Sequence, residues 1–140
     1  MLSIYPACFF VEKNGYSVIF PDLNWLATNG KDEVEAMNMA VDCLAGYLYI
    51  LEKDGEKAPE PSGIKDISLK EIARELDINP QNAFVSMVSV DVAEYAKKHF
   101  EKSVKKTLTI PAWLDKAALG KNINFSQTLQ EALLAKVNML

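Results

Sequence analysis

Four carboxylates, Glu12, Asp22, Asp42 and Asp91, have the residue type that metal-assisted cleavage of a nucleic-acid backbone requires, several acids converging on one cation. Their local settings favour plainer roles. Asp91 stands three residues before Glu94 in a helix-capping pattern, Asp22 belongs to a turn, and Glu12 and Asp42 read as solvated. His99 lies among Lys97, Lys98 and Lys102 with no second His or Cys nearby, so neither a metal site nor general-base work is expected of it. Cys8 and Cys43 lack ligand spacing and read as core residues with free thiols, as in a reducing compartment. The chain is therefore not read as an enzyme, and no cofactor is expected.

The residues near the C-terminus suggest binding chemistry instead. In KKTLTIP, residues 105–111, Lys105, Thr107 and Thr109 fall on one face of an extended segment and Leu108 and Ile110 on the other. A two-stranded ribbon fits the DNA major groove, where Lys donates to guanine and Thr offers a hydroxyl or meets the thymine methyl, so these three are the candidate base-reading residues. Asn124 is placed to cap a helix, with Gln127 completing the box. The free N–H groups near Asn124, Phe125 and Ser126 are candidates to hold a backbone phosphate.

Those residues need elements to position them. Pro111 suits the first turn of a helix carrying Leu114, Ala117 and Ala118, with Gly120 just beyond its end. A second helix carries Phe125, Leu129, Ala132, Leu133, Val137 and Leu140 as its apolar stripe. A unit of strand, helix, helix spanning 103–140 falls below the roughly 40 residues at which a chain without disulfide or metal holds itself together. Two copies pairing their strands antiparallel would bury Leu108, Ile110, Leu129 and Leu133 as a shared dimer core.

Charge divides the chain at the same place. Residues 1–102 hold 10 Lys/Arg against 17 Asp/Glu, net −7, and residues 103–140 hold 5 Lys against 2 acids, net +3. One surface suits a basic protein partner and the other suits phosphate. Apolar runs are interrupted well before the roughly 18 residues of a membrane span and no signal pattern opens the chain, so a cytoplasmic protein without membrane contact is expected.

Residues 2–12 read as a strand apolar on both faces, hence central or covered. Asn14-Gly15 signals a hairpin to a second strand, Tyr16–Phe20, ended by Pro21. A third strand is expected from Trp25 to Thr28, with Asn29-Gly30 turning the chain into a helix over Asp32–Lys53. Val34, Met37, Val41, Leu44, Leu48 and Leu51 should face the sheet, and Ala36, Ala40, Cys43, Tyr47 and Ile50 widen that face. A loop containing Pro59 and Pro61, a capped helix Ser68–Leu76, a strand Phe84–Val90 and a helix from Asp91 to about Phe100 complete a β-β-β-α-(α)-β-α unit. LKEIARELDIN, 69–79, has the look of the first half of a helix-turn-helix, but Pro80 and the strand after it stand where a recognition helix should begin.

YPACFFVEKNGYSVIFPDL, the turn at Asn29-Gly30 and the helix beginning DEVEAMNMAVDCL, followed by KKTLTIP, AWLDKAA and INFSQTLQEAL, are together similar to the HicB antitoxin family with a C-terminal ribbon-helix-helix module. The resemblance departs at Asn24-Trp25, where it implies a proline-glycine pair. It implies an α+β fold: a partial RNase H-like domain, 1–102, with a small antiparallel-rich sheet and packed helices, and a ribbon-helix-helix dimerisation domain, 103–140. It further implies a HicA-type RNA-cleaving toxin as partner, operator DNA as ligand and repression of the chain's own operon. A repressor whose first domain senses a small molecule is the alternative, and the residues that touch a toxin are not legible.

Overall fold

The computed structural model describes residues 1–138, and the chain divides into two compact units, Met1–Lys102 and Ser103–Leu140. The last member of the C-terminal apolar stripe, Leu140, lies outside the described residues.

The first unit is built on β1 (Leu2–Glu12), β2 (Gly15–Phe20), β3 (Leu26–Gly30) and β4 (Phe84–Asp91), which form one antiparallel sheet in the order β3-β2-β1-β4. Both interior positions fall to β1 and β2, and β1 is apolar on both faces as its composition requires. Tyr5, Ala7 and Phe9 point to one face, where α1 (Glu33–Lys53) and α3 (Val92–His99) pack. Cys8 and Phe10 point to the other, where Ile72 and Ala73 of the short α2 (Leu69–Leu76) close over them and Ile19. Phe9, Phe10 and Phe20 are fully buried. Each such side chain contributes about 1.5–3 kcal/mol of transfer free energy, so the sheet is held from both sides. Phe9 also stacks on its cross-strand neighbour Phe84 at 4.9 Å, nearly parallel.

Helix ends follow the capping residues. The side chain of Asp32 accepts from Glu35 N at 2.8 Å, that of Ser68 from Glu71 N at 3.4 Å and that of Asp91 from Glu94 N at 3.2 Å. By length and composition α1 is apolar enough to cross a membrane, but Ala36, Ala40, Leu44, Ala45 and Leu48 are buried against the sheet.

Four local expectations are corrected. The β1–β2 hairpin turns at Lys13-Asn14, since Glu12 already pairs with Gly15. Asn29 and Gly30 do not turn the chain; they are the last residues of β3, and Trp25 precedes that strand. The buried line of α1 runs through Ala36 and Ala40, while Val34 is exposed. The reason is the closeness of β3 to the helix: a Cβ on Gly30 would lie 2.3 Å from Ala36 N and 2.6 Å from Ala36 Cα, so only small residues fit there. In the second unit Pro111 is the N-cap of α4 rather than its first helical residue, and Gly120 is the last residue of that helix, with Asn122 at φ 54° making the turn.

Gly30 has no flexible neighbour that can yield, because the colliding atoms are backbone. Gly30→Ala should therefore lower stability by about 3 kcal/mol in urea unfolding, the upper range for overpacking. Unchanged stability would mean that β3 and α1 can separate at little cost.

Candidate functional site

The second unit contains α4 (Ala112–Gly120) and α5 (Phe125–Asn138). Residues 103–110 are neither strand nor helix, so the strand expected over Lys105–Pro111 is not formed in the single chain. The physical reason is that an extended segment gains no ladder hydrogen bonds without a neighbour, and the described residues of the unit provide none. Lys105, Thr107 and Thr109 are all exposed. Asn124 caps α5 as expected: its Oδ1 accepts from Gln127 N at 3.0 Å. Phe125 and Ser126 follow on the first, exposed turn, and Ser126 Oγ accepts from Gln130 Nε2 at 3.2 Å.

The apolar residues of this unit are the anomaly. Ala118 is its one buried hydrophobic residue among those described. Leu108 is 63% exposed, Leu133 54% and Trp113 70%, with Ile110, Leu114, Phe125, Leu134 and Val137 exposed as well and Leu129 half-buried. Of the four residues assigned to a dimer core, Leu108, Ile110 and Leu133 are thus exposed in one copy and Leu129 is half-buried. So many exposed apolar side chains on so small a unit are the feature that the proposed function has to explain.

In the first unit the carboxylates do not converge. Among the described residues no three His, Cys, Asp or Glu side chains lie close enough to hold a metal ion. Asp91 caps α3, and the amides of Glu94 and Ala93 together with the terminal ammonium of Met1 hold its carboxyl below the usual range. Asp42 accepts from Tyr95 OH at 2.8 Å, and His99 stacks on Tyr95 with ring centroids 4.1 Å apart. Burial pushes the Cys8 thiol up to about 11, and burial followed by the Asp42 charge raises Cys43, so neither is a ready nucleophile. Two grooves of about 460 and 450 Å³ are open to solvent, and acids occur on both, Glu52, Glu56 and Asp91 on one and Glu12 and Glu35 on the other.

Asp22 has a function its sequence context did not reveal. It sits in a 3-10 turn, Pro21–Leu23, between the buried Phe20 and the buried Leu23. Its carboxylate accepts from both Ser62 N and Ser62 Oγ, each at 2.7 Å, and so ties the proline-containing loop to the end of β2. Tyr5 OH donates to Pro59 O in the same loop. Burial, then the nearby charges of Glu60 and Asp22, raise the Tyr5 pKa and keep it a donor. Immediately after this anchored turn, Asn24 and Trp25 both have positive φ, 56° and 61°. Asn tolerates that conformation. For a bulky residue such as Trp it costs about 1–3 kcal/mol, and Trp25 remains 42% exposed.

Residues 5–137 match the family described as the HicB_like antitoxin of bacterial toxin-antitoxin system. The chain belongs to that family. Antitoxin HicB 1 of Photorhabdus laumondii is 39% identical over 54 residues, which is 39% of this chain and 35% of that protein, so the match spans about a third of the curated relative. Among solved structures, a chain of a toxin-antitoxin complex from Streptococcus pneumoniae superposes with a TM-score of 0.64 at 36% identity, over 97% of this chain and 99% of the other. A chain of the HicA3 and HicB3 toxin-antitoxin complex gives 0.51 at 20% identity, over 64% of this chain and 99% of the other, a likeness of fold alone. The mixed α+β architecture with a four-stranded antiparallel sheet thus resembles the folds of the matched chains in these two toxin-antitoxin complexes.

The contact between Asp22 and Ser62 joins residues 40 positions apart and has no local pattern. Asp22→Ala should destabilise the chain by about 2 kcal/mol, the range for hydrogen bonds to a charged group, and expose the Ser62 amide to hydrogen exchange. An amide protected as in the wild type would show that the loop is held by other contacts.

Proposed function

We propose that this antitoxin neutralises a small basic RNA-cleaving toxin of the HicA type through residues 1–102 and represses its own operon through residues 103–140. The observation that carries the second half is the exposed apolar surface of the C-terminal unit in a single copy. A second copy covers it. The two 104–110 segments pair antiparallel, Leu108 and Ile110 turn inward onto Leu129 and Leu133, and the helices close the core. Lys105, Thr107 and Thr109 then lie together on the outer face of the ribbon, where they reach base edges in the major groove, while the N–H groups at Asn124, Phe125 and Ser126 meet a phosphate. The ribbon-helix-helix is thus formed by association rather than by folding of one chain.

For the first half, support comes from family membership, from the resemblance to chains of toxin-antitoxin complexes and from the net charge of −7 on residues 1–102. An acidic unit attracts a protein that must itself bind RNA and is basic for that reason. Neutralisation needs no catalytic group on the antitoxin, only a surface that covers the toxin's own site.

Two measurements separate these activities. Lys105→Ala should weaken operator binding in a gel-shift titration at fixed salt by about ten-fold, with the thermal midpoint unchanged, since a solvent-facing side chain contributes little to the core. Operator affinity equal to the wild type would remove Lys105 from the interface. Residues 1–102 alone should stop RNA cleavage by the purified toxin and have no affinity for operator. A folded 1–102 fragment, as judged by circular dichroism, that leaves cleavage untouched would overturn the assignment of the toxin to this unit.

A further inference from the structure

The turn after β2 combines a rigid base with a strained aromatic residue whose side chain is 42% exposed. Phe20 and Leu23 are fully buried, and Asp22 is held by two 2.7 Å hydrogen bonds to Ser62, so the backbone on the N-terminal side of the turn is fixed. On the C-terminal side Leu26 is already in the ladder, paired with Phe20. Asn24 and Trp25 must cross this two-residue gap, and both do so with positive φ. Glycine meets that demand without strain. Tryptophan at φ 61° does not, and 42% of its surface stays open to solvent rather than packed in the core. Strain of this kind persists where the surroundings over-determine the backbone and the side chain has a use outside the fold.

We infer that Trp25 is an anchor residue of the toxin-binding surface: the anchored turn presents its indole, already ordered, to an apolar pocket on the basic partner protein. This rests on the toxin-binding role proposed above for residues 1–102. Tryptophan is the residue type most enriched among side chains that dominate interface affinity, and it does so when held rigidly before binding, because little entropy is then lost on association. The partner is identified by charge. Trp25 belongs to the part of the chain with net charge −7, which is complementary to a basic protein and repels a second copy of itself.

The test uses the full chain and a purified toxin of the HicA type proposed above as its partner. Trp25→Gly relieves the strained backbone, which offsets the packing lost with the indole, so the chain should stay folded while toxin affinity in calorimetry falls at least about ten-fold. Trp25→Asn, which tolerates the same φ, should lose affinity equally. In 5-fluorotryptophan-labelled wild type, the fluorine resonance that Trp25→Gly removes should shift when toxin is added. Toxin binding by both variants within about two-fold of the wild type, or a Trp25 resonance that toxin does not move, overturns the inference and leaves the toxin-binding role intact. If the variants instead change the mass of the antitoxin alone and bind toxin normally, the indole lies between copies of the chain and the inference fails. A wild-type chain that does not bind toxin at all defeats the underlying reading along with it.

Discussion

Apolar side chains close a core on each face of the sheet in the first unit of this chain and close almost none in the second, and most of what we propose for the protein follows from that difference. In Met1–Lys102 the central strand β1 has neighbours on both edges and helices on both faces, so Phe9, Phe10, Cys8 and Ala7 leave solvent entirely. The described residues of the second unit have no comparable arrangement. Two short helices and an unpaired segment bury little more than Ala118, while Leu108, Trp113, Leu133 and their neighbours remain in water. A closed unit is free to offer its surface to a partner. An unclosed one is, in the function proposed above, completed by a copy of itself, and the symmetric ribbon of that proposal would match the symmetry of a palindromic operator.

Within the closed unit the backbone is held most tightly where the elements come nearest to one another. Gly15 and Gly30 lie at adjoining ends of β2 and β3, and a Cβ on Gly15 would meet Gly30 O at 2.2 Å, while one on Gly30 would meet the backbone of α1. The Asp22–Ser62 bonds fix the opposite end of β2. Held at both ends, β2 and β3 leave the residues between them no choice of conformation. The positive φ of Trp25 is the consequence, and it makes the turn a platform rather than a hinge.

The elements of this fold were largely legible in the sequence because they depend on local signals. The apolar alternation of residues 2–12, the caps at Asp91 and Asn124 and the long apolar face of α1 each carry their own short-range physics, and each element stands where those signals put it. Tertiary proximity was less legible. Asn29-Gly30 has turn-forming composition, yet Gly30 is required by the approach of α1, a demand made by residues that cannot be seen from position 30. Val34 fitted the helical stripe, but the nearness of β3 brings Ala36 and Ala40 to the sheet instead. Asp22 read as an ordinary turn residue, since nothing near it in sequence points to Ser62. Of the candidate site, Lys105, Thr107, Thr109, Leu108 and Ile110 were singled out by period-two alternation, and the strand that this pattern predicts is not formed in the single chain.

The partner copy proposed for that strand can be tested directly. The mass of the full-length protein in solution, measured by light scattering at micromolar concentration together with hydrogen exchange across residues 104–110, addresses the claim that the second unit is completed by a copy of itself. A particle of twice the 15.6 kDa chain mass, with the amides of that segment protected, is the predicted result. A stable 15.6 kDa monomer in which residues 104–110 exchange freely would contradict it.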